Sequence, residues 1–344
     1  MNILIDIFPL ALIPLFLCGC SFARGKGHFH DDYLSPETGR AERGFFAVTV
    51  ILHHISQQTA SGLLLPRFLY VGNLPVSVFF FLSGYGLIKQ LSRNRDYGRK
   101  VLKKRIPAML LPFACVIAAV TLLYALMGDP RSPLELVAYV FTGDIFLCIL
   151  WYFAVITVFY LLFGLLSLLL HGDVRRTALA MLACCVLYTL LLFRSGAGEW
   201  LYNTCHLLII GMLWAVYEKE LLRFIDRWYY PLMLLCLTLF CLIFTGYDRF
   251  FPSPTPAVHL AVALVRNAAF SLGFILVTRK LKPGNAVLRF LGDISLELYA
   301  VQVAVLKLFH CDLCCVGNDL AYAFLVLAVT ILLSYLIRTI KKRI

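Results

Sequence analysis

Apolar residues occupy most of the chain in stretches of roughly twenty, with short polar gaps between them. As a helix, a stretch of about twenty residues crosses a hydrocarbon core of about 30 Å. No gap is long enough to form a soluble domain of its own. The pattern therefore predicts an all-α fold, a polytopic integral membrane helical bundle of about eleven transmembrane helices. The predicted spans are residues 3–22, 44–65, 69–91, 107–128, 146–170, 177–194, 199–217, 229–246, 257–278, 294–309 and 320–337.

Positive charge is concentrated in every second gap between these spans. The remaining gaps hold only Arg67, Arg131, Arg194 and Arg249. Because basic loops stay in the cytoplasm, the alternation predicts a multi-pass plasma-membrane protein with its N-terminus outside and its C-terminus inside. The basic gaps contain Arg24, Lys26 and Arg40; Arg93 to Arg105; Arg175 and Arg176; Lys219, Arg223 and Arg227; Arg279, Lys280, Lys282 and Arg289; and, in the tail, Arg338, Lys341, Lys342 and Arg343.

The composition agrees with this pattern and changes how the net charge is interpreted. Of 344 residues, 61% are hydrophobic and 15% are charged, and the formal net charge is +12. In a soluble protein that charge would suggest nucleic-acid binding, but here topology explains it and no nucleic-acid partner is expected. The 12 cysteines are expected to behave as small apolar residues. The cluster at 310–315 has no second ligand pair at zinc-like spacing, so no metal site is predicted.

Met1–Phe22 is similar to a secretory leader, but no basic residue precedes its apolar run, so we expect a retained first span. Ionisable side chains inside spans are costly, about 2.5–3.5 kcal/mol for Arg or Asp at a helix centre, and therefore indicate functional or structural sites. Lys89 and Lys307 lie near span ends, where they can reach the interface. The full set is His53, His54, Lys89, Asp144, His206, Arg266, Glu297 and Lys307.

Arg43 and His54 are predicted to share one face of the second span. They are eleven residues apart, which is close to three helical turns and about 16 Å along the axis. With Arg43 at the cytoplasmic edge, His54 would lie near the middle of the membrane. A neutral histidine titrates near neutral pH and is a suitable general base for a hydroxyl group. The alternative is an interface arginine and a hydrogen-bonded core histidine.

The gap after the third span is unusually basic. Seven of the thirteen residues from Arg93 to Arg105 are Arg or Lys, more than the topology rule alone requires. Such a cluster favours an anion site, either for the phosphates of CoA or for anionic lipid headgroups.

Five short motifs follow one another in the order and on the spans typical of one protein family. Together they resemble the acyltransferase-3 family of integral membrane O-acyltransferases, from about residue 38 to the C-terminus. The motifs are Arg43 with His54; Phe-Phe-Phe-Leu-Ser-Gly-Tyr at 79–85; Lys-Lys-Arg-Ile-Pro at 103–107; Leu-Trp-Tyr-Phe at 150–153; and Leu-Gly-Asp-Ile-Ser-Leu-Glu-Leu-Tyr at 291–299.

The resemblance implies a membrane acyltransferase domain over residues 38–344. Residues 1–37 would then form an extra N-terminal transmembrane helix and a cytoplasmic loop. No bound cofactor is implied; acyl-CoA, most simply acetyl-CoA, would be the co-substrate. The acyl group would pass to a hydroxyl of a carbohydrate, of a lipid-linked acceptor or of another envelope or exported acceptor. Membrane lipids would surround the protein. A lipid or sugar transporter or flippase without acyl transfer is the alternative.

The resemblance also implies the site residues. Arg43 and His54 would lie in the acyl-transfer site. Where the family commonly has a histidine after the late tyrosine, this chain has Gln302, which cannot act as a base, so Glu297 is the predicted substitute. The predicted phosphate-binding residues are Arg99, Lys100, Lys103, Lys104 and Arg105. The predicted substrate-binding residues are Ser83, Tyr85, Trp151, Tyr152, Ser295, Tyr299 and Gln302. Direct transfer and a covalent relay through Ser83, Tyr85 or Tyr299 both remain open.

Overall fold

The computed structural model describes residues 3–25, 27–250 and 253–343. The helices are α1 (Ile7–Leu17), α2 (Pro36–Ser56), α3 (Asn73–Arg93), α4 (Tyr97–Lys100), α5 (Ile106–Leu126), α6 (Pro133–Thr142), α7 (Trp151–Leu169), α8 (Val174–Ser195), α9 (His206–Val216), α10 (Glu218–Phe250), α11 (Pro256–Lys280), α12 (Ala286–Asp293), α13 (Ser295–His310) and α14 (Asp319–Arg343). A π-helical turn, Val101–Arg105, joins α4 to α5. Two short strands, β1 (Ser21–Phe22) and β2 (Leu281–Lys282), pair antiparallel, and short 3₁₀ turns lie at Ile3–Asp6, Leu65–Tyr70, Leu147–Leu150 and Glu199–Leu201.

The chain is a helical membrane protein, as the apolar pattern predicts. Within the described ranges, seven helices are long and apolar enough to cross a membrane: Asn73–Arg93, Tyr97–Leu126, Leu147–Leu169, Val174–Ser195, Glu218–Tyr247, Pro256–Lys280 and Asp319–Lys341. The count of eleven is not confirmed. Three of the other predicted spans fall on α1, α9 and α13, which have 11, 11 and 16 residues, and the fourth falls on the charged helix α2.

The predicted bounds of the second span, 44–65, are wrong at both ends. Helix α2 begins at Pro36, where the Ser35 side chain accepts a hydrogen bond from the Thr38 N–H and caps the helix. It ends at Ser56, so His54 lies in the last turn rather than at the centre of the helix. The apolar run alone placed the span too far along the chain, because the capped first turns of α2 carry charged side chains.

Contacts between the loops bring the basic gaps together at one end of the bundle, which we call the basic end. This is the geometry that the alternation of charge predicts, although which side of the membrane it faces stays a prediction. The linking contacts are the Lys282–Asp32 ion pair (2.6 Å), the Lys89–Glu218 ion pair, the hydrogen bond from Lys341 Nζ to Ala108 O (2.6 Å) and Arg175 over the Tyr217 ring (6.0 Å).

We expect the basic end to face the cytoplasm, because positive loops resist translocation. A reporter fused to the C-terminus and a second reporter inserted in the loop at Asp173 should both give a cytoplasmic signal. A matched insertion near Arg194, in one of the weakly basic gaps, should give the opposite signal. An external signal from either of the first two would contradict the orientation.

Glycines of two motifs let helix backbones touch. A Cβ added at Gly84 in α3 would lie 1.9 Å from the Leu208 carbonyl oxygen in α9. One added at Gly292 in α12 would lie 1.8 Å from the Arg40 carbonyl oxygen in α2. Small residues permit this close approach, and the van der Waals packing that results is one of the forces that hold helices together in lipid. The glycines in the Ser-Gly-Tyr motif and in the late motif are therefore packing positions that hold the site helices together.

We expect Gly84→Ala to destabilise the fold, because the added methyl group meets rigid backbone. Overpacking of this kind costs about 1–3 kcal/mol, and thermal unfolding in detergent should report it. Gly86→Ala in the same helix is the matched control, since a Cβ there meets nothing within 4 Å. Equal unfolding temperatures for the two variants would contradict the close contact of α3 with α9.

Candidate active site

A cavity of about 350 Å³, here the inner cavity, gathers predicted site residues from distant segments. Arg43 comes from α2, Ser83 from α3, Tyr152 from α7, and Ser295 and Tyr299 from α13. Arg105, at the end of the π-helical turn, completes the set. The cavity wall therefore contains Arg43, Ser83, Arg105, Tyr152, Ser295 and Tyr299, and also three residues not identified from the sequence, Tyr160, Arg338 and Lys341.

A larger cavity of about 820 Å³, here the basic cavity, adjoins the inner one. Arg43, Leu82 and Arg105 line both, so the two cavities meet at this pair of arginines. Among the described residues, neither Arg43 nor Arg105 has a carboxylate within 4.0 Å. The cations around the basic cavity are Arg40, Arg43, Lys89, Arg93, Arg105 and Lys219, and Tyr85 from the predicted substrate set also lines it. Such a surface favours an anion with several charges.

Arg105 differs from the other members of its basic run. Its guanidinium lies 4.7 Å from the centre of the Tyr160 ring, and Nη1 donates to the Tyr97 hydroxyl at 3.3 Å. The Tyr160 hydroxyl in turn donates to Ser83 Oγ at 3.3 Å. The other predicted phosphate ligands, Arg99, Lys100, Lys103 and Lys104, are exposed and line none of the three cavities described for this chain. A π-helical turn widens the helix locally, and Arg105 ends that turn where the run enters the bundle.

Glu218 ties three parts of the chain together beside the basic cavity. It accepts hydrogen bonds from the Tyr85 hydroxyl at 2.8 Å and from the Tyr33 hydroxyl at 3.2 Å, and it pairs with Lys89. Lys89 was predicted to reach the interface from the end of its span. The ion pair instead holds it at the cavity wall, and only the packing of α3 against the start of α10 could reveal this partner.

The loop that precedes α2 forms one side of the basic cavity through Asp31, Asp32 and Ser35. Lys282 donates to Asp32 Oδ2 at 2.6 Å and holds the pKa of that carboxyl below its ordinary value. The strand pair β1–β2 fixes the same loop to the end of α11. The N-terminal segment therefore contributes to the wall of the cavity and is not merely an added anchor.

Glu297 lies behind the inner cavity and does not line it. The residue is fully buried, and its Oε1 is 3.4 Å from Lys341 Nζ and 3.7 Å from Arg338 Nη1. These two cations do line the cavity. The arrangement suits a carboxylate that positions Arg338 and Lys341. The predicted role of Glu297 as a base would require its carboxylate to line the cavity, and it does not do so in this structure. In the sequence both cations belong to the basic C-terminal tail, where the positive-inside rule was enough to account for their charge.

A hydrogen-bond chain fixes the tautomers of His53 and His54. The Phe68 carbonyl accepts from His53 Nδ1 at 2.7 Å, so His53 Nε2 is left to accept from the Gln57 amide nitrogen at 3.3 Å. The Gln57 amide oxygen then accepts from His54 Nδ1 at 2.8 Å. His54 Nε2 consequently carries a lone pair, and no described residue hydrogen-bonds to it. Of the two histidines, only His54 has a ring nitrogen lone pair that no described residue occupies.

The structure does not bring every predicted residue into a cavity. His54, Trp151, Glu297 and Gln302 line none of the three. Gln302 is fully buried, and its amide nitrogen donates to the Tyr299 carbonyl at 3.1 Å. Through residues 3–25, 27–250 and 253–343, the His, Cys, Asp and Glu side chains form no group of three that could hold a metal ion.

Comparison with known protein families identifies a match that covers most of the chain. The model of the acyltransferase-3 family, described as an acyltransferase domain, matches residues 42–339, nearly the whole chain. The matched range includes Arg43, His54, Arg105 and Arg338, whereas Lys341 lies just beyond it. No curated protein and no solved structure matches the chain.

Proposed function

The chain belongs to the acyltransferase-3 family, and on that premise we propose that it transfers an acyl group, most simply acetyl, from cytoplasmic acyl-CoA to a hydroxyl group of a carbohydrate or another envelope or exported acceptor. The observation that carries this proposal is the junction of the two cavities at Arg43 and Arg105. One cavity is wide and basic, the other narrow and partly aromatic. Acyl-CoA has the same division, with a polyanionic nucleotide joined to a slender arm that carries the thioester.

The donor nucleotide occupies the basic cavity in this proposal. CoA carries a pyrophosphate and a 3′-phosphate, which need several cationic donors. Arg43 and Arg105 have planar forks that hold phosphate in two hydrogen bonds each, whereas Lys89 and Lys219 act as point charges. Because Arg43 and Arg105 have no carboxylate partner among the described residues, a bound anion would supply the missing counter-charge.

The pantetheine arm then enters the inner cavity and extends along α2 toward His54. The arginine and the histidine are separated by about 16 Å of helix, a distance that suits an extended arm. The inner cavity does not include His54 in this structure, so the proposal requires that the remaining path opens when the donor binds. Ser83, Tyr152 and Ser295 line the entry and are available to contact the arm.

Acyl transfer takes place at the His54 end of α2. His54 Nε2 accepts the proton of the acceptor hydroxyl while the hydroxyl oxygen attacks the thioester carbonyl carbon. The new C–O bond forms, the C–S bond breaks, and the CoA thiolate leaves and takes up the proton. Gln57 and, through it, His53 hold the imidazole in the required tautomer.

Two measurements test the function. The purified protein, supplied with acetyl-CoA labelled in the acetyl group and with envelope carbohydrate, should move the label to the carbohydrate and release CoA. Mass spectrometry should show loss of the same acyl mark from envelope glycans or exported metabolites in a strain that lacks the gene. Flux of lipid or sugar through proteoliposomes with no label transferred would contradict the proposal and favour a transporter.

A further inference from the structure

A third cavity, of about 450 Å³, lies at the end of the bundle opposite the basic end. It is formed where α10 ends and α11 begins, whereas Glu218 and Lys280, at the other ends of these helices, belong to the basic end. Its wall includes Arg67, Tyr70, Phe244, His259 and Arg266. None of these residues takes part in the acyl-transfer site proposed above.

Arg266 lies inside a span, and no carboxylate of the described residues contacts its guanidinium. It follows the start of α11 by ten residues, about 15 Å along the helix. In the described part of the chain its guanidinium has no carboxylate within 4.0 Å, and its Nε makes one long contact, 3.5 Å, to Asn267 Oδ1. A cation at that depth is costly and usually faces a cavity or pathway where it meets a ligand.

The nearest acidic side chain, Glu199, attracts Arg266 from beyond contact distance, but its oxygens are hydrogen-bonded to other side chains. Glu199 pairs with His259 Nε2 at 2.9 Å and accepts from Asn203 Nδ2 at 3.1 Å. Arg67, which lines the same cavity from the turn at Leu65–Tyr70, is exposed and forms no ion pair within the ranges that the structure describes. Two guanidinium groups that no carboxylate of the described residues contacts therefore line one cavity. The volume of this cavity is in the range of small-molecule sites.

We propose that this cavity binds a phosphate ester, held between the guanidinium groups of Arg67 and Arg266. A guanidinium group binds phosphate oxygens in pairs, so arginine suits this role better than lysine at both positions. The phosphate belongs either to an anionic lipid headgroup or to a free phosphorylated molecule. The site is separate from the acyl-CoA site and does not depend on acyl transfer.

Binding of phosphatidylglycerol to the purified full-length protein in uncharged detergent tests this site. Native mass spectrometry and a thermal-shift titration should show a saturable lipid that phosphatidylcholine does not replace. Arg266→Gln and Arg67→Gln should each weaken this binding at least about tenfold, since each removes a charge-assisted contact. Arg194→Gln is the matched control, because Arg194 is an exposed arginine of a weakly basic gap that lines none of the three cavities.

A competition arm separates the two sources of phosphate. Inorganic phosphate that displaces phosphatidylglycerol from the parent but has weaker affinity for Arg266→Gln indicates a site for free phosphate; resistance to displacement indicates a lipid headgroup. Phosphatidylglycerol affinity that is unchanged in Arg266→Gln overturns the proposal, and so does an absence of saturable binding. If Arg266→Gln does not fold, the exposed Arg67→Gln decides: unchanged affinity in that variant also overturns the proposal.

Discussion

Replacing His54 with alanine is expected to reduce the rate of acyl transfer by about 10²–10⁴-fold, the usual cost of losing a general base. The reason is the hydrogen-bond chain through Gln57, which leaves His54 Nε2 as the free acceptor. His53→Ala is the matched control. His53 is committed to the Phe68 carbonyl, so its loss should disturb the orientation of His54 without removing the base. Release of CoA from acetyl-CoA in the presence of acceptor measures both rates.

A third variant separates chemistry from folding. Gln57→Leu removes the acceptor for His54 Nδ1–H, so the proton of the neutral ring is no longer held on Nδ1. We expect a smaller loss of rate than in His54→Ala, a changed pH profile and normal protein yield. Gln57 is exposed, which makes this substitution tolerable for the fold. Parental turnover by His54→Ala would remove His54 from the mechanism and would leave the inner-cavity residues as the reacting groups.

Arg105→Gln is expected to raise the apparent KM for acetyl-CoA about 10–100-fold, because a fork that can hold phosphate is lost where the two cavities meet. Lys103→Gln with Lys104→Gln is the matched control. These two side chains are exposed and line neither cavity, so their joint replacement should change KM little. Replacing Arg105, Lys103 and Lys104 together should therefore raise KM no more than Arg105→Gln does by itself. Steady-state kinetics in detergent, without anionic lipid, gives the comparison.

Ionic strength provides the internal check on this prediction. Added salt screens the attraction between CoA phosphates and the parent protein, so the ratio of KM between Arg105→Gln and parent should fall as salt rises. Arg105→Lys should recover part of the affinity, since it keeps the charge but not the fork. An unchanged KM in Arg105→Gln, or an equal rise in the lysine double variant, would place donor binding elsewhere. A change in lipid sensitivity alone would favour anionic lipid as the ligand of this gap.

The motifs predicted much of the inner cavity but not its whole wall. Arg43, Ser83, Arg105, Tyr152 and Tyr299 belong to segments whose residue types stand out against apolar helices. Tyr160 does not, since an aromatic residue in an apolar span is ordinary. Arg338 and Lys341 are basic residues in a predicted cytoplasmic tail, as the positive-inside rule expects. Nothing in the nearby sequence therefore distinguishes them from ordinary topology signals. Their shared contact with buried Glu297 is a property of the packing of α13 against α14.

The sequence by itself determined those properties of the protein that follow from composition and from the order of nearby residues. A helical membrane protein follows from the length of the apolar runs, because lipid offers no hydrogen bonds to the backbone. The grouping of basic loops at one end follows from the alternation of charge. The shared face of Arg43 and His54 follows from the helical repeat, and the family resemblance from five ordered motifs.

Only the tertiary structure decided which side chains meet. It placed Arg105 at the junction of two cavities while Lys103 and Lys104 remained exposed, and it put His54 in the last turn of α2 beside Gln57. It also showed that the motif glycines Gly84 and Gly292 serve helix contact. The physical reason is that a local pattern fixes the direction of a side chain on its own helix, whereas its partners depend on how neighbouring helices are rotated and spaced. That rotation is set by close contacts between residues far apart in the chain, such as Gly84 with Leu208, and no short-range pattern encodes them.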